Sequence, residues 1–188
     1  AILDHLLSHK IDIYLHGITD GRDCPPKSAT EYVKEFQDYP WGVLAGRYYA
    51  MDRDKRFERT QLYVDAILQG VGKAIPSPVA AILDAYALGQ TDEFILPYVF
   101  NDYSGIAEND AVIFVNFRAD RMRQLVASLA PNFALALAIN PYHQDVDSLL
   151  HFLSNRVELK NSLGELVSNA GYKQSRIAET EKYAHVTY

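Results

Sequence analysis

The chain has 188 residues, 48% of them hydrophobic and 22% charged, which is typical of a folded globular protein. Its formal net charge is −6, from 18 Lys and Arg against 24 Asp and Glu, and this argues against general nucleic-acid binding. No apolar stretch approaches the ~20 residues that a membrane-spanning helix needs.

Hydrophobic patterns along the chain predict alternating strands and helices. In chain order they predict a strand over 11–19, a helix over 29–36 capped by Ser28, a strand over 41–49, helices over 54–68 and 78–88, a strand over 110–117, a helix over 119–129, a strand over 133–139 and a helix over 159–170. Residues 91–105 are predicted to be mostly loop, and 176–180 and 184–188 to be short extended pieces. Because these strands are apolar throughout, we expect an α/β fold with a mostly parallel sheet and helices on both faces, a three-layer sandwich.

Arginine and aspartate follow each of the first three predicted strands. The motifs are Asp20-Gly21-Arg22-Asp23, then Arg47 with Asp52-Arg53-Asp54, and finally Arg118-Ala119-Asp120-Arg121. Ligands of α/β proteins lie outside the carboxyl ends of the strands, and these ends meet at one edge of the sheet. The five arginines are therefore expected to line one pocket.

Arginine recognises carboxylate and phosphate groups through two parallel hydrogen bonds. Five arginines together indicate a ligand with more than one anionic group, such as a phosphate plus a carboxylate. The interleaved aspartates would hold the guanidinium groups in place, or one of them would carry a proton to or from a substrate hydroxyl. Any one motif alone would more often be a solvated surface with weak ion pairs, but three motifs after three strands favour the pocket.

The remaining reactive side chains form no recognisable site. His5 and His9 have helical i,i+4 spacing but lack a third nearby metal ligand, and His16 is expected to be a satisfied core histidine. The single cysteine, Cys24, excludes an intramolecular disulfide framework, fits a reducing compartment and is a weak nucleophile candidate. The sequence has no nucleophile elbow, Walker loop or dinucleotide fingerprint.

Several longer strings resemble the family of cofactor-independent phosphoglycerate mutases, and they occur in that family's order over nearly the whole chain. They are Asp20-Gly21-Arg22-Asp23-Cys24-Pro25-Pro26, Gly46-Arg47-Tyr48-Tyr49-Ala50-Met51-Asp52-Arg53-Asp54, Thr91-Asp92-Glu93-Phe94, Phe117-Arg118-Ala119-Asp120-Arg121 and Ala178-Glu179-Thr180-Glu181-Lys182-Tyr183-Ala184-His185-Val186-Thr187.

The resemblance implies a two-domain enzyme that interconverts 3-phosphoglycerate and 2-phosphoglycerate through a phosphoserine. In that family a phosphatase domain carries the serine and two Mn²⁺ ions, and an inserted transferase domain grips the glycerate. Residues 1–155 would be the transferase domain, incomplete at its N-terminus. Residues 156–188 would be a linker and a partial phosphatase-domain segment.

The resemblance also implies roles for individual residues. Asp23 would be the catalytic proton carrier for the glycerate hydroxyl. The substrate-binding residues would be Arg22, Asp23, Arg47, Arg53, Arg118, Arg121 and Lys182.

The serine nucleophile and the metal ligands of the family have no counterpart in these 188 residues. We therefore expect the chain alone to bind no metal and to lack mutase activity, with a phosphoglycerate and the missing phosphatase domain as its partners. Nucleic acid and membrane are not expected partners, and the expected location is cytoplasmic. The alternative is a non-catalytic anion-binding α/β module used for ligand sensing or assembly.

Overall fold

The computed structural model describes residues 2–100, 102–154, 159–179 and 182–186. The strands within this part are β1 (Leu15–Thr19), β2 (Trp41–Gly46), β3 (Lys73–Ile75), β4 (Tyr98–Phe100), β5 (Ala111–Phe114), β6 (Leu135–Ala138) and β7 (His151–Phe152). The helices are α1 (Ile2–Ser8), α2 (Ala29–Val33), α3 (Arg47–Ala50), α4 (Phe57–Gln69), α5 (Pro78–Ala87), α6 (Ala119–Leu129), α7 (Gln144–Asp147), α8 (Leu163–Asn169) and α9 (Tyr183–Val186). Short 3-10 helices cover Lys34–Phe36, Asp92–Phe94 and Ala130–Asn132.

The described strands form two sheets, where the sequence predicted one. The first has the order β1-β2-β4-β3, with β1/β2 and β3/β4 parallel and β2/β4 antiparallel. The second has the order β5-β6-β7 and is parallel throughout. The α/β class with mostly parallel sheets is confirmed. The antiparallel β2/β4 pair directs the carboxyl ends of β1 and β2 to one end of the first sheet and those of β3 and β4 to the other.

Strand β2 is buried on both faces, which explains its continuous apolar run. Val43 and Ala45 belong to a core that also holds Phe114 of β5 and residues of α4 and α6, so both sheets share it. Leu44 points to the opposite face and packs in a second cluster with Ile82 of α5. The first sheet therefore has helices on both faces, as predicted.

Several predicted boundaries are wrong where a tertiary contact overrides the local pattern. The strand predicted over 41–49 ends at Gly46, because its N–H donates to the Ile95 carbonyl (2.8 Å) and the chain then turns into α3. The predicted loop over 91–105 contains a 3-10 helix and β4, and the sequence did not predict β3. The Ser28 side chain does not cap α2: its hydroxyl donates to the Pro25 carbonyl (2.9 Å).

The last part of the chain packs least. Helix α8 buries only Gly164, and Leu159 and Leu163 are 83% and 78% exposed. Residues 176–179 form no strand, and α9 replaces the extended piece predicted from residue 184, whereas residues 180, 187 and 188 lie outside the described part. The domain boundary near residue 155 stays a prediction. Among the described residues, no helix is long and apolar enough to cross a membrane.

Candidate anion-binding site

The carboxyl ends of β1 and β2 and the start of α6 meet around a cleft of about 440 Å³. Four of the five arginines predicted to share a pocket line it, and its lining residues are Arg22, Arg47, Tyr48, Asp52, Arg53, Asp54, Arg59, Glu93, Phe94 and Arg121. The fifth arginine, Arg118, reaches this group through ion pairs with two aspartates. The structure thus brings together all three arginine motifs.

Asp23 connects the ends of three strands. Its Oδ2 accepts hydrogen bonds from Arg47 Nη1 (2.8 Å) and Arg118 Nη1 (3.1 Å). Arg47 also donates to Asp20 Oδ1, and the same oxygen accepts the backbone N–H of Arg22 (3.3 Å) and of Asp23 (3.3 Å). One buried guanidinium therefore fixes the loop after β1, and Arg118 ties that loop to α6.

Asp120 extends this network to the second arginine motif. It accepts from Arg53 Nη1 at 2.6 Å and from Arg118 Nε at 3.3 Å. Arg121, one residue further along α6, turns inward and donates from Nη1 to the Met51 carbonyl (3.0 Å). A series of ion pairs thus connects Asp20 to Arg53, through Arg47, Asp23, Arg118 and Asp120.

Two guanidinium nitrogens in this cluster are buried without a hydrogen-bond partner in the described part of the chain. They are Nη2 of Arg47 and Nε of Arg121, and the two side chains are only 5% and 8% exposed. Leaving a buried donor unsatisfied costs about 1–3 kcal/mol, and more when the group is charged. Such a cost is expected where a ligand oxygen is meant to accept the hydrogen bond.

The arginines also set the charge state of the acids. The hydrogen bond and charge of Arg47, with a smaller contribution from Arg118, hold the pKa of Asp23 below its usual value. Burial alone would raise the pKa of Asp20, but its hydrogen bond from Arg47 lowers it overall. Burial, together with the positive charges of Arg53, Arg118 and Arg47, lowers the pKa of Arg121. Arg121 therefore lies in a positive local potential that favours an anion.

Sequence reasoning missed part of the lining. Arg59 of α4 stacks its guanidinium carbon 3.9 Å from the centroid of the Tyr48 ring and lies 3.7 Å from Asp52 Oδ1. Tyr48 itself also lines the cleft. Asp52 is nearly buried and accepts the N–H groups of Asp54 (3.1 Å) and Arg56 (2.9 Å). The one available signal was the group of basic residues around the start of α4, which comprises Lys55, Arg56 and Arg59.

Other candidates lie elsewhere or form no site. Lys182 is exposed and does not line the cleft. Its backbone N–H donates to the Glu179 carbonyl (2.9 Å). His16 is a partly buried residue whose buried Nδ1 has no hydrogen-bond partner among the described residues, so the expectation of a satisfied core histidine is wrong. In the described ranges no group of three His, Cys, Asp or Glu side chains could hold a metal ion. The residues described here therefore do not fit a metal pair.

Comparisons with known proteins agree with this geometry. The family model for the BPG-independent PGAM N-terminus matches residues 1–154. The 2,3-bisphosphoglycerate-independent phosphoglycerate mutases of Lawsonia intracellularis and Rhodopseudomonas palustris are 41% and 40% identical to the chain, covering 100% of it and 41% of each relative. A solved phosphoglycerate mutase of Leishmania mexicana, crystallised at low cobalt concentration, superimposes with a TM-score of 0.79 at 23% identity, over 100% of this chain and 40% of that one. This structural match supports the fold. The chain spans about two fifths of the length of these relatives.

Proposed function

The chain belongs to the family of BPG-independent phosphoglycerate mutases, and we propose that its arginine-lined cleft is the phosphoglycerate-binding site of such an enzyme. The observation that carries the proposal is the pair of unpartnered, buried nitrogens on Arg47 and Arg121. A phosphoglycerate carries both a phosphate and a carboxylate, so it offers acceptors to both nitrogens. The substrate-binding set is Arg22, Asp23, Arg47, Arg53, Arg118 and Arg121.

Binding requires some of the present ion pairs to open. Asp23 is the member best suited to move, because its side chain is 61% exposed whereas Arg47 is only 5% exposed. A ligand anion that takes the place of the Asp23 carboxylate would bridge Arg47 and Arg118 in the same way. The two arginines would keep their positions, so little reorganisation is needed.

The released Asp23 carboxylate can then turn towards the glycerate hydroxyl. Its lowered pKa means that it is ionised at neutral pH, which suits a proton acceptor. Once the ligand holds Arg47 and Arg118, those charges stabilise the Asp23 anion less and its pKa rises. A higher pKa favours retention of the proton until it is returned to the product.

The full reaction requires groups that the resemblance assigns to the other domain. Residues 1–155 would supply the transferase domain and residues 156–188 the return into the phosphatase domain, where Lys182 would reach the substrate phosphate. The phosphatase domain would supply the serine nucleophile and two Mn²⁺ ions, which stabilise the charge of the transferring phosphoryl group. We expect the 188-residue chain alone to bind a phosphoglycerate in the cytoplasm without converting it.

Calorimetric titration of 3-phosphoglycerate into the chain tests the proposal. Wild type should show saturable binding, and Arg118→Ala should weaken it at least tenfold because one bridge to the ligand anion is lost. Arg123→Ala is the matched control, because Arg123 lies on the same helix with its side chain exposed to solvent. Its affinity should equal that of wild type.

Two results would count against the proposal. If neither 3-phosphoglycerate nor 2-phosphoglycerate binds to wild type, the cleft is not a phosphoglycerate site. If inorganic phosphate binds as tightly as 3-phosphoglycerate, the chain is better described as a general anion-binding module.

A further inference from the structure

Asp92 is a fully buried carboxylate held by neutral donors. Its Oδ2 accepts the backbone N–H groups of Ser28 (2.8 Å) and Ala29 (2.9 Å), and its Oδ1 accepts the hydroxyl of Tyr86 (2.5 Å). It therefore caps α2 in place of the Ser28 side chain. Burying a carboxyl group is costly unless hydrogen bonds satisfy it, and these three donors do so for Asp92.

The backbone of Asp92 extends the same connections to β1. Its N–H donates to the Pro26 carbonyl (2.8 Å), and its own carbonyl accepts the buried Thr19 hydroxyl (2.6 Å). Thr19 and Pro26 bracket the loop that carries Arg22 and Asp23. Asp92 thus holds both ends of this loop as well as the helix that follows it.

The neighbouring Glu93 brings this segment into the cleft. Glu93 Oε1 lies 3.8 Å from Arg22 Nη1, and Glu93 also lines the cleft. A Cβ on Gly21, whose φ is +66°, would lie 2.7 Å from Asp92 Cβ, and a Cβ on Gly46 would overlap the Glu93 carbonyl. The segment therefore packs directly against the residue before Arg22 and the residue before Arg47.

We propose that Asp92 is a positioning residue that locks the Arg22–Asp23 loop and Arg47 in their ligand-binding arrangement. The inference deepens the proposed function and rests on it. Asp92 is not among the residues that line the cleft. Its side chain acts on the start of α2, and its backbone acts on Thr19 and Pro26, so that together they fix where the loop begins and ends.

A second carboxylate–tyrosine pair, between α5 and β4, provides a matched control. The Tyr98 hydroxyl donates to Asp84 Oδ2 (2.5 Å), and Lys73 Nζ pairs with the same oxygen (2.5 Å). This pair lies near the β3 edge, and its side-chain hydrogen bonds do not reach the loop after β1. The Tyr98 ring packs in the same apolar cluster as Ala29, and Tyr98→Phe keeps that ring in place. Tyr98→Phe therefore removes the same kind of hydrogen bond without acting on the cleft.

Amide hydrogen exchange and ligand titration together test the inference. In Asp92→Ala, the amides of residues 20–29 should exchange at least tenfold faster without ligand, and 3-phosphoglycerate affinity should fall at least tenfold. Asp92→Asn should restore most of both, because its amide oxygen can still accept the two N–H groups and its NH₂ group can donate to the Tyr86 oxygen. Tyr98→Phe should leave the exchange of 20–29 and the affinity at wild-type values.

The outcomes separate this inference from the proposed function. If wild type does not bind 3-phosphoglycerate but Asp92→Ala still loosens residues 20–29, the proposed function fails and the positioning of the loop stands. If residues 20–29 exchange as in wild type in Asp92→Ala, the positioning role is overturned. If Asp92→Ala does not fold, Tyr86→Phe decides: unchanged exchange over 20–29 would overturn the role.

Discussion

The two ends of the first sheet both carry a cleft, yet only one has the features of a polar binding site. The charged end, at the carboxyl ends of β1 and β2, holds the arginine cluster. The aromatic end, at the carboxyl ends of β3 and β4, has a cleft of about 260 Å³ lined by Tyr14, Tyr39, Trp41, Phe100 and several prolines. Both satisfy the rule that ligands lie beyond strand carboxyl ends.

The hydrogen bonds distinguish the two ends. At the aromatic end, Trp41 Nε1 donates to the Phe36 carbonyl (2.9 Å) and the Tyr39 hydroxyl donates to Asp4 (2.6 Å). None of the described lining residues there has a buried polar atom without a partner. At the charged end, Arg47 and Arg121 each have one. Between these two clefts, the unpartnered buried nitrogens of Arg47 and Arg121 therefore favour the charged end as the ligand site.

The largest effect is expected from Arg47→Met, which keeps the apolar stem and removes the charge that holds Asp20 and Asp23. Affinity for 3-phosphoglycerate should fall about a thousandfold, or about 4 kcal/mol, because a buried hydrogen-bonded charge is lost. Calorimetry should then show no saturable heat at millimolar ligand. If Arg47→Met binds 3-phosphoglycerate almost as tightly as wild type, the charged end is not the ligand-binding end of the sheet.

His16, near the aromatic end, should give the next largest effect, through pH. Burial lowers its pKa to about 4 from 6.5, so the unfolded chain binds a proton between these values and the folded chain does not. Folding stability should therefore fall as pH drops from 6.5 to 4, by about 3 kcal/mol in total. Asp23 behaves differently, because its pKa is lowered from 3.8 in the folded chain. Its contribution to folding stability is therefore present above pH 3.8 and is lost only at more acidic pH.

Urea unfolding at pH 7 and pH 4.5 measures the effect of His16. His16→Gln should abolish most of the difference in the free energy of unfolding between these two pH values. An equally steep loss in the variant would show that another group titrates in this window.

The smallest effect is expected from Lys73→Met at the β3 edge. Lys73 is 53% exposed and pairs with the partly exposed Asp84, and such surface pairs contribute little to stability. The melting temperature should change by less than about 2 °C, with ligand affinity unchanged. A clear loss of affinity would mean that charge far from the cleft influences the site as strongly as the arginines do.

Local patterns in the sequence were sufficient for much of the fold. The helix predicted over 119–129 has the bounds observed for α6, and the left-handed Gly70 ends α4 close to the predicted residue. Strands β3 and β4 were missed because three residues each are too few to show a periodic pattern. They exist because they pair with each other and β4 also pairs with β2, and these contacts are not visible in a local window.

The site residues likewise divide into those that local sequence predicts and those that depend on long-range contacts. Arg22, Arg53 and Arg118 could be placed together because each follows a predicted strand. The burial of Asp92 could not be predicted, because it depends on Ser28 and Thr19, which lie 64 and 73 residues away in sequence. Lys182 entered only through the family resemblance, and its role in binding stays a prediction.

The Asp23 carboxylate, which bridges Arg47 and Arg118, competes with any ligand anion for the same two arginines. A carboxylate tethered next to Arg47 and Arg118 has a high effective concentration there, so a free anion must outcompete an attached one. Weak or singly charged anions from the surrounding solution are held off by this competition. A ligand with two anionic groups can engage further arginines and thereby prevail. The Asp23 carboxylate therefore sets a minimum affinity, below which a free anion does not displace it from Arg47 and Arg118.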